Sequence, residues 1–256
     1  MFKFSDQFLV DYCNWGSLKT VCLSFDVDWA PDYMLIDVWE LVKDVSPTIF
    51  ATHGSGVLEQ MSSEFDLGIH PNLTAGSSQG NGIDEVINFF KRFEYLHFDW
   101  CRFHLLGHSY SDLEKLSSHG VKFDSSYCLL NAPFILPHLQ PDLDIVLAPY
   151  FWEDGLRLKS GVSDQFINWE AKGLKIFDFH PIDIYFNTPD IEARNKIKSI
   201  YKSVNQIPQQ EAEKLINKST YGTRDILIEV LQKIRSGRVH SFSLSEMSEA
   251  VRLNYV

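Results

Sequence analysis

The chain has 256 residues, 45% of them apolar and 14% aromatic, enough for one large buried core and fitting a single domain over 1–256. A formal net charge of -11 argues against a nucleic-acid surface or an anionic-membrane patch, and no run of Lys and Arg offsets it. No apolar run approaches membrane-spanning length, residues 1–7 lack a secretory pattern, and Cys13, Cys22, Cys101 and Cys128 form no CxxC pair, so a cytoplasmic protein with reduced thiols and no membrane insertion is expected.

In chain order, β-branched and aromatic runs at 20–29, 47–52, 66–69, 101–104, 144–149, 174–180 and 239–243 read as strands. Helical periodicity covers 33–45, 83–95, 111–119, 191–204 and 223–235. Strands alternating with helices predict an α/β chain with a mostly parallel sheet. Ser111 to Glu114 has the pattern of a capping box, and Gly120 that of a helix stop. The Gly- and Ser-rich stretch 76–82 reads as a flexible loop close behind His70, placed to move over a site.

Polar chemistry collects where strands end. Leu23-Ser24-Phe25-Asp26-Val27-Asp28 ends in two aspartates two residues apart, so an extended strand sends both carboxylates from one face. Like charges this close favour one on a cation and the other as a base. Phe65 to His70 is another such strand, stopped by Pro71 at a histidine, a preferred ligand of zinc and similar ions. The bland alternative is a histidine plugging the barrel end. Cys101 to His108 offers two more histidines, whose rings lie about 13 Å apart over four extended steps, so both reach one ion only if the chain turns at Gly107. His104, on the face of Arg102, is preferred, with His108 as the alternative. Ile176 to Pro181 repeats the pattern, and a histidine, His180, held by Asp178 suits a general acid, a ligand or a satisfied core pair. Tyr150, Phe151, Trp152, Glu153 and Asp154 fit a sugar-binding wall, because rings stack on pyranose faces and carboxylates take hydroxyls.

In this order the segments resemble the polysaccharide deacetylase superfamily, also called carbohydrate esterase family 4 or the NodB-like deacetylases, over most of the chain. Ser24 to Asp28 is similar to the first motif, usually Thr-Phe-Asp-Asp, whose first aspartate is the catalytic base and whose last binds metal. Phe50-Ala51-Thr52 resembles the strand that follows. Glu64 to His70 is similar to the lead-in of the second motif, but Thr74 stands where relatives carry a second histidine ligand. Arg102 matches the arginine that orients the base, although Arg-x-Pro-Tyr has become Arg102-Phe103-His104-Leu105. Tyr150 to Asp154 falls near the fourth motif and His180-Pro181 near the fifth.

The resemblance implies a single distorted (β/α) barrel of the NodB-like (β/α)7 type and a metal-dependent hydrolase of an N-acyl, first of all N-acetyl, group on a sugar. It is similar to a divergent branch found in bacterial O-antigen and surface-polysaccharide biosynthesis, with nucleotide- or lipid-linked substrates. One divalent ion is implied, Zn2+ before Co2+, Ni2+ or Mn2+, held by Asp28, His70 and His104 or His108. Asp26 is then the base oriented by Arg102, and His180 with Asp178 the proton donor, with a backbone N–H near Tyr150 helping at the oxyanion. An N-formyl-sugar deformylase or imidase on the same barrel is an alternative, as is a non-catalytic sugar-binding protein, which the loss of histidine at Thr74 motivates.

Overall fold

The computed structural model describes residues 19–130, 132, 135–160, 172–201 and 203–253; residues 1–18, with Cys13 and the N-terminal stretch read above, lie outside the described residues. At the centre is β1 (Lys19–Asp26), which pairs along its length with β9 (Gly173–Phe179) and at its end with β2 (Thr48–Ala51). A parallel strand covered on both faces needs apolar side chains on both, and β1 and β9 are accordingly buried almost throughout, without alternation. The sheet continues in parallel through β3 (Asp66–Ile69), β4 (Trp100–Cys101), β5 (Phe123–Asp124) and β7 (Ile145–Leu147), while β6 (His138–Gln140) joins β7 antiparallel. β10 (His240–Ser241) pairs with the start of β1.

The chain itself joins the two ends of this sheet. Ala148 N–H donates to the Asp124 carbonyl (2.9 Å), Tyr150 N–H to that of Tyr127 (2.8 Å) and Phe151 N–H to that of Ile176 (2.7 Å). Within four residues the backbone crosses from β5 to β9 and becomes β8 (Trp152–Glu153), paired with β9. The result is the distorted (β/α)7-type barrel, with active-site residues expected at the C-terminal ends of its strands.

Helices α1 (Asp32–Val42), α2 (Gly56–Met61), α3 (Ile83–Phe90), α4 (Tyr110–Ser118), α5 (Asp154–Ser160), α6 (Pro181–Tyr185), α7 (Ile191–Ile200), α8 (Gln209–Leu215), α9 (Thr223–Arg235) and α10 (Leu244–Leu253) accompany the strands. Burial at Met34, Leu35, Val38 and Val42 in α1, and at Ile226, Leu227, Val230 and Leu231 in α9, follows the helical period. Each such side chain contributes roughly 1.5–3 kcal/mol of burial, so these faces hold the helices to the barrel.

Several expectations from sequence change. The strand expected over 20–29 stops at Asp26, because Asp28 (φ 45°) and Trp29 (φ 56°) enter the left-handed region. Val27 N–H bonding to the Phe50 carbonyl (3.0 Å) and Trp29 N–H to Thr52 Oγ1 (2.9 Å) pin that turn. A turn, not an extended strand face, therefore brings Asp28 back beside Asp26. The strand expected over 101–104 ends at Cys101 and becomes a 3-10 turn, His104–Leu106, with Leu105 and Leu106 at φ 54° and 58°. Left-handed backbone is strained for Trp and Leu, and two such turns face each other at one barrel mouth. Helix α4 is capped by Ser109, not Ser111: Asp112 N–H donates to Ser109 Oγ (3.3 Å) and Ser109 N–H to Asp112 Oδ2 (2.8 Å). Gly120, at φ 102°, ends that helix.

Candidate active site

Three side chains, Asp28 after β1, His70 after β3 and His104 after β4, meet at the mouth of the barrel. His70 follows β3, its N–H donating to the Ala51 carbonyl (2.9 Å), and His104 follows β4, its N–H donating to the Pro71 carbonyl (2.8 Å). His70 Nε2 lies 3.3 Å from Asp28 Oδ1, His104 Nδ1 3.0 Å from the same oxygen, and the two ring nitrogens 3.3 Å from each other. Donors bonded to a zinc-sized ion at about 2.0–2.1 Å in a tetrahedron lie roughly 3.3 Å apart, so this donor set has the spacing of a ligand triad. Asp28 Oδ1 is buried without a well-directed hydrogen bond, which also fits a cation ligand. Burial opposes ionisation of Asp28, but the adjoining His104 and His70 rings outweigh it and hold its carboxyl well below the usual carboxylate range.

Behind the triad, Arg102 is fully buried and ties four strand ends together. Its Nη1 donates to Asp26 Oδ1 (3.0 Å) and also contacts Asp178 Oδ1; Nη2 donates to Ser24 Oγ (2.9 Å) and Ser125 Oγ (3.0 Å), and Nε to the Ser125 carbonyl (3.1 Å). The rings of Phe50 and Tyr150 lie over the guanidinium at 4.5 and 5.0 Å. One cation thus serves two carboxylates. Burial raises the Asp178 carboxyl well above the usual range, with Arg102 opposing and Asp26 adding to the shift. Asp26 is the member of the pair that lines the cavity, with Oδ2 3.7 Å from His70 Nε2.

His180, at the end of β9, has a different partner from the one expected. Asp154, not Asp178, braces it: Asp154 Oδ1 lies 2.6 Å from Nδ1 and Oδ2 accepts the His180 N–H at 2.8 Å. The sequence hid this because Asp154 arrives from β8, the strand beside β9, whereas Asp178 turns toward Arg102. His180 Nε2 then faces Asp28 Oδ2 at 3.5 Å. Burial works against the charged ring, but Asp154, Asp28 and Asp178 prevail and hold its pKa well above the ordinary imidazole value.

Asp26, Asp28, His70, His104 and His180 line one cavity of about 260 Å³, together with Tyr150 and Glu153 of the expected sugar wall. Tyr150 donates to Glu153 Oε2 (2.9 Å), and burial raises the Glu153 carboxyl above its usual range. Phe151 and Trp152 do not reach this cavity. They are buried against β9, with ring centroids 5.6 Å from Phe177 and 5.0 Å from Phe179 respectively, because the crossing from β5 to β9 makes this segment part of the barrel wall. Asp154 is likewise buried, spent on His180. His108 stays apart from the triad, stacked on Phe103 at 4.7 Å. Thr74 turns back on Asn72, to whose Oδ1 both its N–H (2.9 Å) and its hydroxyl (2.7 Å) donate.

A profile of the WbmS-like polysaccharide deacetylases matches residues 23–198, from β1 through most of α7. The chain belongs to the WbmS-like polysaccharide deacetylase family. Membership makes it an amide hydrolase acting on C–N bonds. A Bordetella bronchiseptica protein described as a polysaccharide deacetylase involved in O-antigen biosynthesis has a similar solved structure, with TM-score 0.72 and 25% identity over 83% of this chain and 90% of that one. A Mycobacterium smegmatis protein described as a polysaccharide deacetylase shares the fold, at TM-score 0.54 and 12% identity over 93% of this chain and 91% of that one. No curated protein matches the chain.

Within this WbmS-like deacetylase, the supports of the site were not visible as motifs. Gln79 lies in the Gly- and Ser-rich loop 76–82, yet its side chain is buried: Nε2 donates to the Thr52 (2.8 Å) and His70 (3.1 Å) carbonyls, and Oε1 accepts from Asn72 N–H (2.7 Å). This loop is therefore clamped to the backbone that carries His70. Ser24 stood in the first motif in the place of its usual Thr, with nothing to show that it would accept from Arg102, and Ser125, just past β5, carried no signal at all.

Proposed function

We propose that the protein is a metal-dependent deacetylase that removes the N-acetyl group from an amino sugar during bacterial surface-polysaccharide assembly, with the whole chain as one catalytic domain. The observation that carries this reading is the donor triad Asp28, His70 and His104 meeting beside an Arg102-held Asp26 in one cavity. The surface-polysaccharide context rests on the Bordetella relative, described as involved in O-antigen biosynthesis.

A divalent ion held by those three residues, Zn2+ by the nitrogen-rich donor set, supplies Lewis acidity to the acyl carbonyl and its attacking water. The other work belongs to this chain's own groups. Asp26, fixed by Arg102, takes the proton from the attacking water. His180, kept protonated by Asp154, gives a proton to the departing amine. Tyr150 and Glu153 face the sugar, the carboxyl accepting from or donating to its hydroxyls. Arg102, Asp178 and Asp154 are positioning residues.

The test is amine release from a panel of N-acetyl and N-formyl amino sugars, free and nucleotide-linked, with metal added back after chelation. Metal-dependent release from the N-acetyl members is expected. Release confined to N-formyl sugars would transfer the reading to a deformylase.

A further inference from the structure

Arg194 is a buried cation that the mechanism above leaves unused. It projects from α7, is 8% exposed, and lines the same cavity as Asp26, Asp28 and His180. Asp183 holds one end, with Oδ2 2.9 Å from Nη2, while Nε has no hydrogen-bond partner. A guanidinium has five donors in a rigid fork, and leaving them dry is costly unless something else occupies them. Lys198, one helical turn further on α7, and Lys159, near the end of α5, line that cavity too. Among the described residues neither lysine has a carboxylate within ion-pair distance. Arg194 and Lys198, with Asp28 and His104, also line a second hollow of about 320 Å³ that runs on to Tyr201 and Ser203. Three cations converging on one wall run against a chain whose net charge is -11.

We propose that Arg194, Lys198 and Lys159 form an anion subsite, so that the preferred substrate is an acylated amino sugar carrying an oxyanion. The planar fork of Arg194 suits the paired oxygens of a carboxylate or phosphate, and the two lysines add charge at the rim. Asp183 holds the guanidinium in place without filling its remaining donors. The oxyanion comes either from a sugar carboxylate or from the phosphate of an activated sugar. Gly155 packs directly against this wall: a Cβ there would lie 2.6 Å from Glu153 Oε1 and 3.1 Å from Arg194 Nη1 and would push both side chains from their places. The inference rests on the deacetylase reading for its substrate, but not for its test.

Calorimetric binding and amine release are measured on the metal-loaded enzyme with N-acetylglucosamine, its 1-phosphate and its 6-carboxylate analogue. Wild type, Lys198→Met and Arg194→Lys are compared, with melting curves to show that each variant is folded. At least one charged sugar is expected to bind ten-fold or more tightly than the neutral one, and the ratio to fall about ten-fold in Lys198→Met. Whichever charged sugar shows the effect identifies the source of the oxyanion. Equal binding of charged and neutral sugars, or a preference unchanged in both variants, overturns the subsite. Lys198-dependent binding with no amine release from any sugar upholds the subsite and sinks the deacetylase reading instead.

Discussion

Two polar clusters share Asp26 as their border, and they are built in opposite ways. The Arg102 cluster sits on extended strand ends, is closed over by Phe50 and Tyr150, and gives each guanidinium nitrogen a partner. The Asp28–His70–His104 cluster stands on turns containing left-handed Asp28, Trp29, Leu105 and Leu106, and brings three donor atoms within 3.0–3.3 Å of one another. One cluster is complete as folded; the other would be completed by the proposed ion, bound by all three donors. Backbone strain and crowded donors belong where binding repays them, whereas a satisfied buried ion network belongs in the frame.

The largest expected effect falls on the border residue. Asp26→Asn should lower amine release about 10²- to 10⁴-fold, the usual worth of a general base, with metal stoichiometry intact. Metal loss in that variant would erase the division between the clusters. Next, Arg102→Met should destabilise the protein by about 3–5 kcal/mol in urea unfolding, because it leaves Asp178 and Asp26 without their buried cation. His104→Ala, by contrast, should be no less stable than wild type when both are metal-free. Equal losses in the two variants would break the comparison.

Gln79→Ala tests the clamp on His70. It should cost about 1–3 kcal/mol by exposing the Thr52 and His70 carbonyls and the Asn72 N–H as unpaired buried groups. Metal affinity should weaken about ten-fold as the ligand's backbone loosens. The smallest effect is a shift in pH profile. Asp154 raises the pKa of His180, so the protonated form persists to higher pH. Removing that charge in Asp154→Asn should move the alkaline limb of kcat/KM to lower pH, while Asp178→Asn, lacking the brace contact, should move it less.

Much of this arrangement was legible in the chain, for a physical reason. Long parallel strands buried on both faces announce themselves as apolar runs, and Asp26, His70 and His180 stand out because each ends one. The short elements were not legible: β5, β6, β8 and α6 span two to five residues, too few for any period to show. Asp154 and Asp178 each have an apolar strand before them and a histidine within reach, and only the pairing of β8 with β9 decides which carboxylate meets His180. The aromatic run Tyr150-Phe151-Trp152 likewise divides between cavity and wall at a crossing that composition cannot reveal. His104 and His108 differ through the turn at Leu105 and Leu106, whose left-handed backbone no propensity favours.

The central claim is that His104 supplies the ligand that Thr74 lacks. Its most direct test is equilibrium metal titration of the chelator-stripped protein, comparing wild type, His104→Ala and His108→Ala with Zn2+. One tightly bound ion per chain is expected in wild type and in His108→Ala, with affinity at least 100-fold weaker in His104→Ala. Undiminished binding in His104→Ala would contradict the account.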